Sequence, residues 1–384
     1  MTTRRQVYLD HAATTPVHSS VLQEMHKVLD THFGNPSSLH FYGRAAQQHL
    51  EVARQRVARL MGAGQKNVIF TSGGTEADNL AIVGTALSYR ERGRHIITST
   101  IEHHAVLDTC HMLSHNGFDV TFLPVDEDGV VDPDDVRKAI RGDTILITIM
   151  HANNEIGTIE PIPEIGEIAR EHDIIFHTDA VQTAGYLPLN VDDLFADLLS
   201  VSAHKIYGPK GAGALYVREG IKLKPLFHGG GQERTCRPGT ENLPGIVGLG
   251  KAAEIALKEH HAESKRYRKL SDLLIRGIKE RIPGARLNGH PQHRLPHNVN
   301  ISFRGVKGEC LLVALDKHGI AVSTGSACSS DSTQLSHVLE AIGLSEKNGA
   351  GTIRMTVGRS TTEDDIEYVL HVLVDVVEQL RREK

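Results

Sequence analysis

Two residues of opposite charge close two β-rich runs of this chain, Asp179 at the end of Ile174-Ile-Phe-His-Thr-Asp179 and Lys205 at the end of Leu198-Leu-Ser-Val-Ser-Ala-His-Lys205. If the runs are neighbouring strands of one sheet, both residues emerge at its carboxyl edge, where open α/β sheets bind ligands. A lysine amine there can hold an aldehyde as a Schiff base, and a carboxylate can pair with a protonated ring nitrogen. That is the chemistry of pyridoxal 5'-phosphate (PLP), whose ring acts as an electron sink. A surface lysine and a helix-capping aspartate are the ordinary alternative for the pair alone.

Other segments supply what such a coenzyme needs. Ile69-Phe-Thr-Ser-Gly-Gly74-Thr75-Glu-Ala-Asp-Asn79 runs from a strand through a double-glycine turn into a helix. Backbone N–H groups at Gly74 and the Thr75 hydroxyl can therefore converge on a phosphate at the helix N-terminus. It is not a Walker loop, since no Gly-Lys-Ser/Thr follows, and a small-residue βα turn is its plainer reading. Ser202 and His204 can complete a phosphate shell from the strand end that carries Lys205. Gln182, just past Asp179, can donate to the ring's phenolic oxygen, and Asn154 leaves another strand end at the same rim. Each of these polar residues alone is more often a turn former. In Ile101-Glu-His103-His104, one imidazole can stack on the ring and shuttle protons at neutral pH, and the sequence leaves open which.

Cys328 sits in Val322-Ser-Thr-Gly-Ser-Ala-Cys-Ser-Ser-Asp-Ser-Thr333, a run of small polar residues that reads as a mobile loop. Free cysteines are usually small buried hydrophobes, but this one has almost nothing apolar beside it. A thiol becomes a competent nucleophile where its site stabilises the thiolate. Cys110 and Cys310 read as packing residues, and Cys236 is ambiguous. Arg354, in Thr352-Ile-Arg-Met-Thr356, can hold a substrate carboxylate through charge-assisted bonds, with a salt bridge as the default alternative.

The elements that must position these residues alternate along the chain. Strand-like runs at residues 67–71, 95–98, 119–123, 144–150, 174–176, 198–201 and 211–217 are separated by helical stretches such as 75–89 and 163–171. That order predicts an α/β fold with a mainly parallel, seven-stranded-type sheet sandwiched by helices. A long helix from about Pro244 to Arg281 leads to a smaller α/β part ending in a helix over 363–382. The expected division is 17–255 for the large domain, with 1–16 and 256–384 forming a small domain that carries Cys328 and Arg354.

The 384 residues carry a formal net charge of −5, with 40% hydrophobic and 23% charged residues. There is no basic excess for nucleic acid or anionic lipid and no run apolar enough to span a membrane. No signal-like apolar segment follows Met1, so the expected location is the cytoplasm. The four cysteines form no Cys-x-x-Cys pair, which indicates neither a disulfide framework nor a zinc knuckle. Among 24 histidines, His111 and His115 have helix-face spacing but lack the glutamate of a His-Glu-x-x-His site. No metal is expected, and the histidines outside the motifs fit ordinary surface usage.

In this order the segments resemble the cysteine desulfurases of the NifS/IscS type, fold-type I PLP enzymes of the class V aminotransferase group. The resemblance runs through Tyr8-Leu-Asp-His-Ala-Ala-Thr-Thr-Pro16, Gly34-Asn-Pro-Ser-Ser38, Ser72–Asn79, Asn153-Asn-Glu-Ile-Gly157, His177–Gln182, Ser202–Gly211, Arg237-Pro-Gly-Thr-Glu-Asn242, Ser326-Ala-Cys328 and Arg354, nearly the whole chain. It implies that Lys205 carries the coenzyme, Asp179 pairs with its ring nitrogen, Gln182 contacts its phenolic oxygen and His103 is the stacking, proton-transferring residue. It further implies that Gly74, Thr75, Ser202 and His204 hold the phosphate, while Thr240 reaches the phosphate of a partner subunit in a homodimer with shared active sites. Asn154 and Arg354 would bind the carboxylate of L-cysteine, with Ala12, Ala13 and Thr14 lining the same pocket. Cys328 would take the sulfur as a persulfide and leave L-alanine, then pass it to an acceptor such as an iron–sulfur scaffold or a tRNA-thiolation enzyme.

Two features depart from the family pattern. Pro238 stands where many relatives have serine, and the chain stops soon after its last helix, without the tail some members use to dock a scaffold, which leaves the acceptor open. A selenocysteine lyase or another PLP enzyme of the same fold is the nearest rival, discriminated by Cys328. A non-catalytic scaffold-binding protein is the rival of another class.

Overall fold

The computed structural model describes residues 5–324 and 335–383. After β1 (Val7–Tyr8), seven strands build one large sheet: β2 (Val68–Thr71), β3 (His95–Ser99), β4 (Asp119–Leu123), β5 (Thr144–Thr148), β6 (Ile175–Asp179), β7 (Leu198–Ser202) and β8 (Gly213–Val217). Their spatial order is β2-β8-β7-β6-β5-β3-β4, with β8 antiparallel to both of its neighbours and every other pairing parallel.

Alternate side chains of each strand leave by opposite faces, and both faces are covered. Phe70, Ile97, Leu199 and Tyr216 join one core, filled from the helices Phe41–Leu60, Ile162–Glu171 and the first half of Leu243–Arg281. Their strand neighbours Ile69, Ile96, Leu198 and Leu215 join the other, under the helices Gly74–Ser88 and His104–Ser114.

The helix Leu243–Arg281 has 39 residues, a rod of about 58 Å. Asn242 caps its start by accepting from Gly245 N–H at 3.3 Å, and Pro244 occupies the first turn, where a missing N–H costs nothing. Its second half buries Tyr267, Leu270, Leu274 and Ile278 in a separate core. That core also takes residues from β10 (Asn298–Phe303) and β12 (Thr352–Thr356), which pair antiparallel, while β9 (Ala285–Leu287) flanks β10. The helix Glu363–Arg382 closes it, started by a reciprocal Thr362–Asp365 capping box. β1 runs parallel to β11 (Ile320–Ala321) and its Val7 enters the same core, so the first strand of the chain packs with its last third.

Two expectations need correction. Among the histidines outside the motifs, His95 in β3 and His297 are interior rather than surface groups, and His11, His151 and His177 are buried as well. Hydroxyls make this tolerable at His95, whose two ring nitrogens meet Thr144 Oγ1 at 2.7 Å and Thr121 Oγ1 at 2.8 Å. Cys310 is exposed on its helix rather than packed, whereas Cys110 is buried and its thiol is pushed up to about 12 by desolvation.

Candidate active site

β6 and β7 are adjacent and parallel, with Asp179 opposite Ser200, so their carboxyl ends open into one crevice. A cavity of about 380 Å³ lies there. Asp179, at the last position of β6, and Ser202, at the last position of β7, both line it. After Ser202 the chain makes a short 3₁₀ turn, Ala203–Lys205, which carries His204 and Lys205 into the same wall. Lys205 Nζ donates to the carbonyls of Ala12 and Ala13 at 2.5 and 2.8 Å. Gln182 Nε2 donates to the Ala12 carbonyl at 3.0 Å. The segment after β1 is thereby laced along the lysine turn, and Ala12 and Ala13 line the cavity.

The double-glycine turn adjoins this wall, a Cβ built on Gly74 lying 3.6 Å from Ser202 Cβ. Gly74 and Thr75 open a helix of 15 residues whose first N–H groups have no intrahelical partner. A Cβ on Gly74 would come within 2.8 Å of Val181 Cγ2, so the close approach of these two loops requires the bare backbone. Ser202 Oγ is buried with no hydrogen-bond partner, which is costly unless a ligand oxygen completes it. A hydroxyl donor in want of an acceptor, free helix N–H groups and a threonine hydroxyl fit a phosphate. Together with a carboxylate for a pyridinium and an amine for an aldehyde, the donor set fits PLP.

The third wall comes from the loops after β3 and β5. His103 caps the helix His104–Ser114, its Nδ1 accepting from Ala105 N–H at 3.1 Å, which leaves the proton of the neutral ring on Nε2. Burial, reinforced by the charge of Lys205, pulls its pKa down to about 4. Burial likewise lowers His204 to about 4. Desolvation pushes Asp179 up to about 6, against the Val181 N–H, which it accepts at 2.8 Å, and the charge of Lys205. A cationic ring nitrogen would return it to a firmly ionised state.

Asn154 and Arg354 also line the cavity and touch each other. Arg354 is 2% exposed, donating to Asp10 Oδ1 at 2.9 Å and to the Asn154 carbonyl at 3.0 Å, while its Nε has no partner. Thr14 stands one layer back, its Oγ1 3.2 Å from His204 Nδ1, and does not line the cavity. Thr240 is exposed and also outside it. Cys328 lies outside the described residues, but both flanks of its segment are tied to the cavity wall. Ser323 exchanges backbone hydrogen bonds with Arg354 at 3.1 and 2.7 Å, and Ser336 Oγ donates to Glu155 Oε2 at 2.6 Å.

Sequence reasoning passed over Asp78, Glu102, Glu155 and His337, which also line the cavity. Asp78 had a signal: four residues after Gly74 on a helix, it shares the face that meets the ligand. Glu102 adjoins His103, and its Oε1 accepts from Ser99 Oγ at 2.6 Å and Met150 N–H at 3.0 Å. Among the described residues no group of three or more His, Cys, Asp or Glu side chains is placed to hold a metal ion.

The aminotransferase class-V family profile matches residues 7–369. A protein of Dictyoglomus turgidum named cysteine desulfurase IscS is 55% identical over 378 residues, covering 98% of this chain and 96% of its own length. The fold superposes on a solved NifS-like protein with a TM-score of 0.92 at 39% identity, over 98% of this chain and 100% of the other. A second solved structure, titled SspA in complex with cysteine, gives a TM-score of 0.83 at 42% identity, over 92% of this chain and 99% of the other.

Proposed function

The chain belongs to the class-V aminotransferase family and is a PLP-dependent enzyme of the cysteine desulfurase type, within which we propose a division of labour among its own residues. When bound, PLP supplies the electron sink that makes the Cα proton of an attached amino acid acidic and weakens its bond from Cβ to sulfur. Gly74, Thr75, Ser202 and His204 would hold the phosphate, Asp179 the ring nitrogen and Gln182 the phenolic oxygen, all of them lining the one cavity. Lys205 would hold the coenzyme through Nζ and, with the substrate in place, could take its Cα proton at the same atom. His103, neutral at physiological pH, would cover the ring and pass protons at Nε2, since Nδ1 is taken by the Ala105 N–H.

Arg354 and Asn154 bind the carboxylate of L-cysteine, with Ala12 and Ala13 walling the pocket and Thr14 steadying His204. The thiolate of Cys328 attacks the substrate sulfur. The new S–S bond forms as the Cβ–S bond breaks, its electron pair staying with carbon, which is protonated and leaves as L-alanine. The ties of Ser323 and Ser336 to the cavity wall support a Cys328 within reach.

Residues 17–255 form the coenzyme-binding domain and 1–16 with 256–384 the second, a division supported by their separate cores. The working form is a homodimer in which the exposed Thr240 serves the partner subunit's phosphate. It acts in the cytoplasm and hands its persulfide sulfur to an acceptor protein, an iron–sulfur scaffold or a tRNA-thiolation enzyme. No helix among the described residues is long and apolar enough to cross a membrane.

The observation that carries this reading is the convergence of Lys205, Asp179, the Gly74–Thr75 helix start and Arg354 on one cavity. The purified protein should show a coenzyme absorbance band and form L-alanine from L-cysteine. Lys205→Ala should abolish both, and Cys328→Ala should keep the band and lose sulfur transfer. Undiminished sulfur release by Cys328→Ala would point instead to a lyase that needs no thiol.

A further inference from the structure

Asp78 is a buried acid for which the reaction so far has no use. It lies on the Gly74–Ser88 helix, is 1% exposed and lines the coenzyme cavity with Asp179. Its Oδ1 has no hydrogen-bond partner and stands 3.6 Å from His177 Nε2. His177 brings no positive charge, because burial draws its pKa down to about 3, and its nitrogens are engaged by Thr148 Oγ1 at 2.8 Å and Ser200 Oγ at 3.0 Å. The other charged groups acting on the pair are Glu102, a third carboxyl, and Lys205, which acts on Asp179.

Two buried carboxylates lining one cavity, with Lys205 as the cation that acts on Asp179, cannot both ionise without a large penalty, so one proton stays with the pair. Asp179 has the stronger claim to the charge, having a backbone donor at 2.8 Å and the lysine. An anionic oxygen with no donor is far costlier to bury than the same oxygen in a neutral acid, which favours the proton on Asp78. Desolvation, and then the charge of Asp179, raise Asp78 well above the ordinary carboxyl range.

We propose that Asp78 is a positioning residue for the coenzyme ring: it and Asp179 share a single buried negative charge, Asp78 keeping the proton as long as Asp179 is there to ionise. This rests on the coenzyme reading and extends it, since it makes Asp78 a reserve anion for the ring nitrogen. Infrared spectra of the holoenzyme should then contain a deuterium-sensitive carbonyl stretch of a protonated carboxyl group that disappears in Asp78→Asn and persists in Glu102→Gln. Absence of any such band assignable to Asp78 overturns the proposal.

A double-mutant cycle read by coenzyme dissociation constants gives an independent answer. Asp78→Asn alone, which imitates the neutral acid, should change affinity less than about threefold, but on an Asp179→Asn background it should cost about tenfold or more, because Asp78 then ionises to take over the charge. Equal factors in the two backgrounds would show that Asp78 is a passive packing residue. Failure of the coenzyme reading looks different: the wild-type protein would then bind no PLP at Lys205.

Discussion

Replacing Arg354 by glutamine should separate substrate recognition from coenzyme binding. The guanidinium is 2% exposed and already bonded to Asp10 and the Asn154 carbonyl, so it is held rigidly and its unpartnered Nε loses little freedom when a carboxylate arrives. A charge-assisted bond in such a place contributes about 1.5–3 kcal/mol. At 1.4 kcal/mol per factor of ten, Arg354→Gln should raise KM for L-cysteine about 10- to 150-fold. Arg354→Lys, which keeps the charge but not the fork, should fall between. Asp10 keeps a 20% exposed side chain and so remains hydrated when its partner goes, which should leave the fold intact. The assay is steady-state alanine formation, with the coenzyme absorbance followed in parallel and cysteamine, which lacks the carboxylate, as a competing ligand. Cysteamine should inhibit variant and wild type alike. If Arg354→Gln weakened cysteamine as much as L-cysteine, or lost coenzyme along with affinity, Arg354 would be shaping the site rather than reading the carboxylate.

Other perturbations follow from particular contacts. Desolvation raises Glu102 to about 8, so the folded state keeps a proton that the unfolded chain has released by about pH 4.5. Its contribution to stability is therefore full below about pH 4.5 and declines as the pH rises through 8, and Glu102→Gln, which needs no proton, should gain in melting temperature relative to wild type between about pH 6 and pH 9. A difference independent of pH would mean that Glu102 is ionised. Gly74→Ala places a methyl group 2.8 Å from Val181 Cγ2 and should cost about 1–3 kcal/mol of stability in thermal unfolding together with coenzyme affinity, whereas unchanged PLP binding would remove the turn from the phosphate site. Ser336→Ala deletes both the cap to Val338 N–H at 3.2 Å and the bond to Glu155. A loss of about 1–2 kcal/mol in denaturant unfolding is expected, and a neutral result would show that the flank of the Cys328 segment is not anchored there.

What local pattern encodes was legible from the residues alone. The helix over 363–382 and the long helix to Arg281 follow from sustained 3.6-residue periodicity, and the strands from short β-branched runs. Asp179 and Lys205 could be placed together because parallel strands release their carboxyl ends at one edge. The insertion of β8, antiparallel, between β2 and β7 left no local trace, since strand order is set by pairing between residues remote in sequence. Buried polar groups were missed for the same reason. Nothing next to His177 in sequence shows that Thr148 and Ser200, from two neighbouring strands, satisfy its ring. Asp78 and Glu102 show their character only once burial has removed the water around them.

The proposed reaction moves sulfur from L-cysteine to one thiol beside a coenzyme held at residue 205. Incubation of the holoenzyme with L-cysteine, followed by alkylation under non-reducing conditions and peptide mass spectrometry, tests this directly. The Cys328 peptide should gain one sulfur atom, in a wild-type protein but not in Lys205→Ala. Sulfide released with no sulfur on Cys328, or the added atom on Cys110, Cys236 or Cys310 instead, would contradict it.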